Sequence, residues 1–282
     1  FLKIKARNYV SAAGPWVDEL RTKDHSVSNK YLHLTKGVHL VFPLSKLPVK
    51  QPIYFDSPDG RMVFAIPRGK TTYVGTTDTN YHGSLDRVVV TKDDANYILK
   101  AINSTFPKVH LEISDIESNW AGLRPLIHEE GKKPSELSRK DEIFVSESGL
   151  ISIAGGKLTG YRKMAKRVVD KVVKTLPVEK QKSLIKVKTK RISMVTPAFL
   201  DAKEVASYQL EIGKKLALLG INDTYYAAYL CTNYGRRSDM ILKKMVESPM
   251  GDVLEGFIKA ELWYCVHFEM TTIFLFLINI ME

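Results

Sequence analysis

Two hydrophobic textures divide the chain, and the change between them constrains its fold more than any other feature. Before residue 176 the apolar runs are short: Val38–Phe42, Ile53–Phe55, Met62–Ile66, Thr72–Val74 and Ile143–Val145. Runs of this length bounded by turn signals read as strands. Ser57-Pro-Asp-Gly60 between two of them reads as a hairpin turn, and Ser148-Gly149 separates Ile143–Val145 from Leu150–Ala154 in the same way. Phe1–Val10 alternates like a further strand, and Asp115–Trp120 like another. Two helices interrupt the strands. Thr91 is the N-cap of one, with Asp93 and Asp94 in its first turn and Ala95, Ile98, Leu99 and Ile102 as its apolar stripe. The other starts near Leu158, with Tyr161, Ala165, Val168, Val169 and Val172 on one side and Lys/Arg on the other. After residue 192 every segment is helical: Ala202–Leu219 ahead of Gly220, Tyr225–Tyr234 ahead of Gly235, Asp239–Val246 and Leu254–Met270. The pattern predicts an α/β or α+β unit over 1–176, a basic linker over 177–192 and a separate helical domain over 193–282.

Charge sharpens the division. The 282 residues carry a formal charge of +11. Between Lys157 and Arg191 there are 13 Lys+Arg against only Asp170 and Glu179, so this one stretch holds the whole excess. Such a surface suits an anionic membrane leaflet or an acidic partner. A solvated helix face followed by a solvated linker explains it equally well. No aromatic interleaving or nucleic-acid motif accompanies it, so nucleic acid is not an expected partner. Two cysteines, Cys231 and Cys265, exclude a disulfide framework and read as small packed hydrophobes of a reducing, cytoplasmic setting. The longest apolar run, 273–281, is far short of the about 20 residues that a membrane-spanning helix needs. The chain opens inside an alternating stretch, and its last residues, 272–282, are apolar without a helix stop. Both ends therefore predict a fragment that lacks its N-terminal part and is truncated in its helical domain.

Three sets of residues are suited to chemistry. In Val10-Ser-Ala-Ala-Gly-Pro-Trp16 a strand runs into small residues that let a ligand approach the backbone; a plain strand-end turn would look the same. In Ile151-Ser-Ile-Ala-Gly-Gly-Lys-Leu-Thr159 a buried strand meets a Gly-Gly turn and a helix start, with Lys157 beside it. Backbone N–H groups and a helix N-terminus converge there, which favours anions or the charged edge of a reduced flavin. The spacing is not that of a P-loop, and a tight strand-to-helix connection is the alternative. The third set is His39, Arg61, Arg68, Arg124 and Arg139. Guanidinium forks suit a phosphate or carboxylate. Arg124, held between Gly122 and Pro125, points to a fixed role, while Arg61, Arg68 and Arg139 also fit surface charge. His39, among apolar neighbours, reads as a core histidine or as a base. No Cys/His/Asp spacing predicts a metal site, and no G-x-S-x-G elbow predicts a hydrolase.

Taken in order, Ala12-Ala-Gly-Pro-Trp-Val-Asp18, Thr35-Lys-Gly-Val-His-Leu40, Asp59-Gly-Arg-Met-Val-Phe-Ala-Ile-Pro-Arg68, Val74-Gly-Thr-Thr-Asp-Thr79, Ala121-Gly-Leu-Arg-Pro-Leu126, Ser138-Arg-Lys-Asp141 and Ala154-Gly-Gly-Lys-Leu-Thr-Gly-Tyr-Arg-Lys-Met-Ala165 form a series. It resembles the FAD-dependent aerobic glycerol-3-phosphate dehydrogenases, within the D-amino-acid-oxidase-like flavoproteins. Asn233-Tyr-Gly235 and Ala260-Glu-Leu-Trp-Tyr264 are similar to that family's C-terminal domain. The resemblance implies an α/β (α+β) FAD/NAD(P)-binding-like domain, incomplete here, with an antiparallel substrate sheet inserted at about 41–148, then an α-helical C-terminal domain. It implies oxidation of glycerol 3-phosphate at C2, with hydride passing to FAD and electrons to membrane quinone. Ala13, Gly14, Trp16, Gly155, Gly156, Lys157, Leu158 and Thr159 would hold the flavin. Arg124 and Arg139 would bind substrate or its phosphate, with Arg61 and Lys157 as further substrate contacts. His39 and Arg124 would be catalytic.

The family's G-x-G-x-x-G pyrophosphate segment is absent, so the chain alone is expected to be inactive. Only about 30 residues separate Leu126 from Gly155, which favours a dehydrogenase over the related oxygen-reducing oxidases. Other expected associations are a homodimer and a peripheral position on the inner face of the cell membrane through Lys157–Arg191. Three readings remain beside the leading one: a glycerol-3-phosphate oxidase, another amine- or hydroxy-acid-oxidising flavoprotein, and a non-catalytic basic module that binds membranes or polyanions.

Overall fold

A computed structural model describes residues 3–130, 140–193, 196–247 and 251–270. The chain divides into two compact units. Residues 1–42, 51–66 and 73–190 form the first, and residues 43–50, 67–72 and 191–282 form the second.

The first unit is built on two sheets. In the smaller, β1 (Val10–Ser11) runs parallel to β9 (Ile151–Gly155), which pairs antiparallel with β8 (Asp141–Val145). β9 lies in the middle, so Ile151–Ala154 are buried on both faces, as a parallel central strand requires. The larger sheet centres on β2 (Lys30–Pro43). Its order is β3 (Ile53–Asp56), β4 (Met62–Arg68), β5 (Thr71–Gly75), β2, β6 (Thr79–Asn80), and β7 (Ser118–Glu129) also pairs with β2. β6 and β7 both face Thr35 and Lys36, so they lie on opposite edges of β2. Ser57–Gly60 closes the β3–β4 hairpin, Ser57 and Gly60 being bonded across the turn.

Alternation along β2 assigns its faces. Val38 and Leu40 are fully buried, and Lys36 Nζ meets Asp94 Oδ2 at 2.5 Å on helix α2 (Lys92–Thr105). Thr91 and Asp94 form a reciprocal capping box that starts α2, which turns Ala95, Ile98, Leu99 and Ile102 into the core. Thr35, Gly37 and His39 take the opposite face.

Several expectations need correction. The described part of Phe1–Val10, residues 3–10, is not a strand; only Val10 pairs, because β1 is two residues long. β7 does not stop before Arg124 but runs through Gly122 and Pro125 to Glu129. It bonds β2 on one side only, so a proline without an N–H is accommodated there. Asp115 belongs to a 3-10 turn, Ile113–Asp115, not to that strand. The helix after β9 begins as a 3-10 turn, Leu158–Gly160, and continues as α3 (Tyr161–Lys174). Met164, Val168 and Val172, at i, i+4 spacing, pack on Ile143, Ile151 and Ile153. Tyr161, Ala165 and Val169 are instead exposed. The segment read as a linker contains a short helix, α4 (Val178–Ser183), and a 3-10 turn, Thr189–Arg191.

The second unit contains α5 (Ala202–Leu218), α6 (Thr224–Tyr234), α7 (Ser238–Glu247) and α8 (Val253–Phe268). Asp201, Asp223 and Asp252 cap α5, α6 and α8 through their carboxylates. Ile212, Leu216, Leu230, Ile241, Phe257 and Tyr264 form its core. Gly220, at φ +96°, ends α5 in the left-handed conformation expected of a C′ glycine. The apolar residues 272–282 lie outside the described residues. Among the described residues no helix is long and apolar enough to cross a membrane.

Candidate functional site

The face of the large sheet opposite α2 carries one aromatic side chain from each of five strands. Tyr54, Phe64 and Tyr73 lead to His39 and Trp120, with neighbouring ring centroids 4.7–6.4 Å apart. His39 stacks almost flat on Trp120, its register partner, at 4.7 Å and 11°. The next register row is Gly37 with Gly122, and the one after it Thr35 with Arg124. An aromatic wall therefore gives way to a floor of bare backbone and then to a cation.

Arg124 does not lie along its own strand. Its guanidinium crosses β2 to the β5–β6 connection. There Nη2 donates to Thr76 Oγ1 at 2.7 Å, and Nη1 donates to the Thr77 carbonyl at 2.9 Å and to Asp78 Oδ1 at 3.2 Å. Gly37 permits the crossing, since a Cβ there would lie 2.5 Å from Nη2. Gly75 does the same for the imidazole, where a Cβ would lie 2.4 Å from His39 Cδ2. Gly122 has open space where its Cβ would point. The guanidinium is about one-third exposed, so it is both fixed and reachable.

Burial holds the His39 imidazolium down at about 4, and the Arg124 charge acts in the same direction. The ring is neutral at physiological pH. Its Nδ1 is buried and has no hydrogen-bond partner. A fixed guanidinium and a glycine floor can orient an anionic, hydroxylated small molecule, and the neutral imidazole beside them can take a proton from it at Nε2, since Nδ1 is buried.

A second group of candidate residues lies in the small sheet. β1 and β9 are adjacent and parallel, and each ends in a glycine turn that feeds a helix. β1 leads through Ala13 to a 3-10 turn, Gly14–Trp16, and α1 (Val17–Lys23). β9 leads through Gly155 and Gly156, at φ +72° and +79°, to Lys157 and α3. Ligands of parallel sheets bind beyond such carboxyl ends. Gly14, at φ +56°, has empty space where a Cβ would sit. Lys157, Leu158 and Thr159 are exposed, and the first turn of α3 carries no acidic residue. These residues fit a flat electron-accepting ring with an anionic edge: small side chains leave room, and the helix N-terminus and Lys157 supply positive potential. The turn also has internal reasons for its glycines, because a Cβ on Gly155 would lie 2.7 Å from the Lys140 carbonyl oxygen.

The predicted site residues fall into distinct groups. His39 and Arg124 share the sheet face, whereas Ala13, Gly14, Trp16 and Gly155–Thr159 share the carboxyl ends of β1 and β9. Ile127 of β7 packs with Ala154 and Val17 and lies beside Gly155, so both groups belong to the first unit. Arg124 lies three residues earlier, about 10 Å along the strand and on its other side, and no described contact links it to Lys157. Trp16 Nε1 donates to Asp86 Oδ1 at 3.2 Å. Arg61 sits at the β3–β4 hairpin, paired with Asp59 and placed over the Tyr97 ring, outside both groups. Arg68 donates to Asn233 in the second unit. Arg139 lies outside the described residues.

The residues that sequence reasoning did not single out are Gly37, Gly75, Trp120 and Thr76–Asp78, and Gly122 was read only as a neighbour of Arg124. Their signal was the clustering of glycines in three separate motifs. Arg21 also escaped notice. It is 1% exposed, pairs with Asp18, donates to the Ser26 and Lys30 carbonyls and lies over Phe144, which fixes α1 under the turn. Among the described residues no group of three or more His, Cys, Asp or Glu could hold a metal ion.

A family model described as FAD dependent oxidoreductase (DAO) matches residues 2–162. The aerobic glycerol-3-phosphate dehydrogenase of Bacillus subtilis (strain 168) is 48% identical over 273 residues, which are 95% of this chain and 49% of that protein. The enzyme of the same name from Staphylococcus haemolyticus (strain JCSC1435) is 54% identical over 243 residues, 85% of this chain and 43% of that protein. The chain thus spans about half the length of the curated relatives it matches. The crystal structure of the glycerol-3-phosphate dehydrogenase from Bacillus halodurans complexed with FAD matches with a TM-score of 0.80 and 43% identity, over 95% of this chain and 51% of that one.

Proposed function

This chain belongs to the FAD dependent oxidoreductase family, and we propose that it acts within an enzyme that oxidises sn-glycerol 3-phosphate to dihydroxyacetone phosphate. The observation that carries the reading is the Arg124 guanidinium, pinned across Gly37 beside a neutral His39, in a chain 48% identical to a glycerol-3-phosphate dehydrogenase. FAD, when bound, supplies the two-electron acceptor that takes hydride from C2. Ala13, Gly14, Trp16 and the Gly155–Thr159 turn would hold it.

The chain's own residues do the rest. Arg124 binds the anionic substrate, and its three fixed bonds hold the guanidinium plane in one orientation, so little ordering is left for the moment of binding. Gly37 and Gly122 leave the floor open for the carbon skeleton. His39 takes the proton of the C2 hydroxyl. A base held near 4 suffices, because that oxygen becomes strongly acidic as the hydride departs and the carbonyl forms. The aromatic wall of Phe64, Tyr73 and Trp120 excludes water from the imidazole.

Quinone is the proposed electron acceptor, reached at the inner face of the cell membrane. The support is the surface of α3 and the segment after it, where the basic residues of Arg162–Arg191 flank exposed Tyr161, Val169 and Ile185. Sedimentation with anionic vesicles across a salt series tests this part, and binding that is absent at low salt removes it.

The test of the activity is a chimera joining this chain to the part of the Bacillus subtilis relative that it does not cover. It is expected to be yellow and to reduce an artificial acceptor only with glycerol 3-phosphate. Arg124→Ala is expected to abolish turnover while the colour is kept. Equal activity on glycine or another amino acid would overturn the substrate assignment.

A further inference from the structure

We propose that the helical unit binds a small free alkylammonium ion in the cavity between α6 and α8, a site independent of the flavin chemistry. The cavity measures about 210 Å³. Tyr225, Tyr226 and Tyr229 of α6 and Phe257 of α8 wall it, and Glu261 of α8 lines it too. The tyrosine and phenylalanine rings lie 5.3–6.3 Å apart, close enough to enclose one small group.

The chemistry of the lining selects the charge of the ligand. Glu261 is 2% exposed, a buried carboxyl in a wall of π faces. Tyr229 Oη and Tyr234 Oη both donate to the same oxygen, Oε1, at 2.6 and 2.5 Å. Oε2 has no hydrogen-bond partner among the described residues. Buried carboxylates are ordinarily paired, and no lysine or arginine lines this cavity. A donor carrying positive charge satisfies Oε2 and the ring faces together. Burial pushes the Glu261 carboxyl up toward its neutral form, and a cation beside it restores the charge, whereas an anion opposes it. Leu254 and Ile258 line the cavity while 44% and 43% exposed, so the entrance is apolar and suits an alkyl group better than a hydrated metal ion.

The fold already shows that these rings accept an ammonium. Lys70 Nζ lies 4.7 Å from the Tyr225 ring centroid and 5.5 Å from that of Tyr226, with Asp223 Oδ2 at 3.1 Å. Lys70 does not line the cavity, so Oε2 is left for a ligand from solution.

The test compares tert-butylammonium chloride with tert-butanol, a neutral isostere, by calorimetric titration of the 282-residue chain at matched ionic strength. The cation is expected to bind saturably in the millimolar range, and the alcohol at least about tenfold more weakly. Glu261→Gln is expected to erase the discrimination, while Tyr226→Leu weakens both ligands. Equal affinity for cation and alcohol in the unaltered chain, or no saturation by the cation, overturns the proposal. This comparison needs no variant, so a misfolded Glu261→Gln leaves it intact.

Discussion

Gly37→Ala isolates the geometry of Arg124 without touching its charge. The added methyl would lie 2.5 Å from Nη2, 2.7 Å from Cζ and 2.9 Å from Nη1, all inside contact distance. β2 is hydrogen-bonded on both edges, so the backbone does not yield and the guanidinium must swing away. The swing breaks the bonds to Thr76, Thr77 and Asp78. A hydrogen bond to a charged group is worth about 1.5–3 kcal/mol, and water replaces much of that for a side chain one-third exposed, which leaves a net loss of about 1–2 kcal/mol. The thermal midpoint of the sheet unit should fall by about 2–8 °C. The kinetic effect is larger, because a displacement of 1 Å at an orienting group can cost about 10²-fold. In the chimera, kcat/KM for glycerol 3-phosphate should drop by about that factor with the flavin spectrum unchanged. Gly122→Ala is the comparison. Its methyl meets nothing within 4 Å, so stability should hold while KM rises, because the methyl occupies the floor. If Gly37→Ala keeps kcat/KM within about twofold, the fixed position of Arg124 contributes nothing and the mechanism fails.

Three further outcomes follow from the same structure. Asp94→Asn strands Lys36 in the core and should cost about 3–5 kcal/mol in a urea titration; a cost below about 1 kcal/mol would show the pair to be dispensable. His39 titrates at about 4 in the fold against 6.5 unfolded. Above pH 6.5 both states are neutral and stability is level; as pH falls toward 4 only the unfolded chain gains the proton, and stability falls by at most about 3 kcal/mol. Urea midpoints of wild type and His39→Gln across that range should differ in slope, and parallel profiles would contradict the burial argument. Gly155→Ala places a left-handed Cβ 2.7 Å from the Lys140 carbonyl oxygen, so it should destabilise the β9 turn by about 1–3 kcal/mol and lower flavin retention in the chimera; a variant as stable and as yellow as wild type would rule this out.

Local features were legible because their causes are local. Thr91 with Asp94 marks a helix start, Ser57–Gly60 a hairpin, Gly155-Gly156 a tight turn and Gly220 a helix end, each within four residues. Readings failed where a distant partner decides the outcome. Phe1–Val10 alternates, but β9 pairs with it only at its end. The strand read at Asp115–Trp120 runs on through Pro125, which is tolerated because nothing else needs its missing N–H. Tyr161 and Val169 share the apolar character of Val168, yet only Met164, Val168 and Val172 meet the small sheet. The site is the extreme case. Arg124 and His39 were visible as residue types, but Gly37, the passage between them, acquires its meaning from an arginine 87 positions away. No periodicity reports such a pairing. Arg21 was missed for the same reason, because a lone arginine on a short helix carries no local sign of burial.

The most direct measurement of the central claim is an anaerobic titration of the chimera with glycerol 3-phosphate, followed through the flavin absorbance. Stoichiometric bleaching of the oxidised flavin, lost in Arg124→Ala although that protein remains yellow, is the predicted result. A flavin that stays oxidised with excess glycerol 3-phosphate, or that bleaches equally well without Arg124, would contradict it.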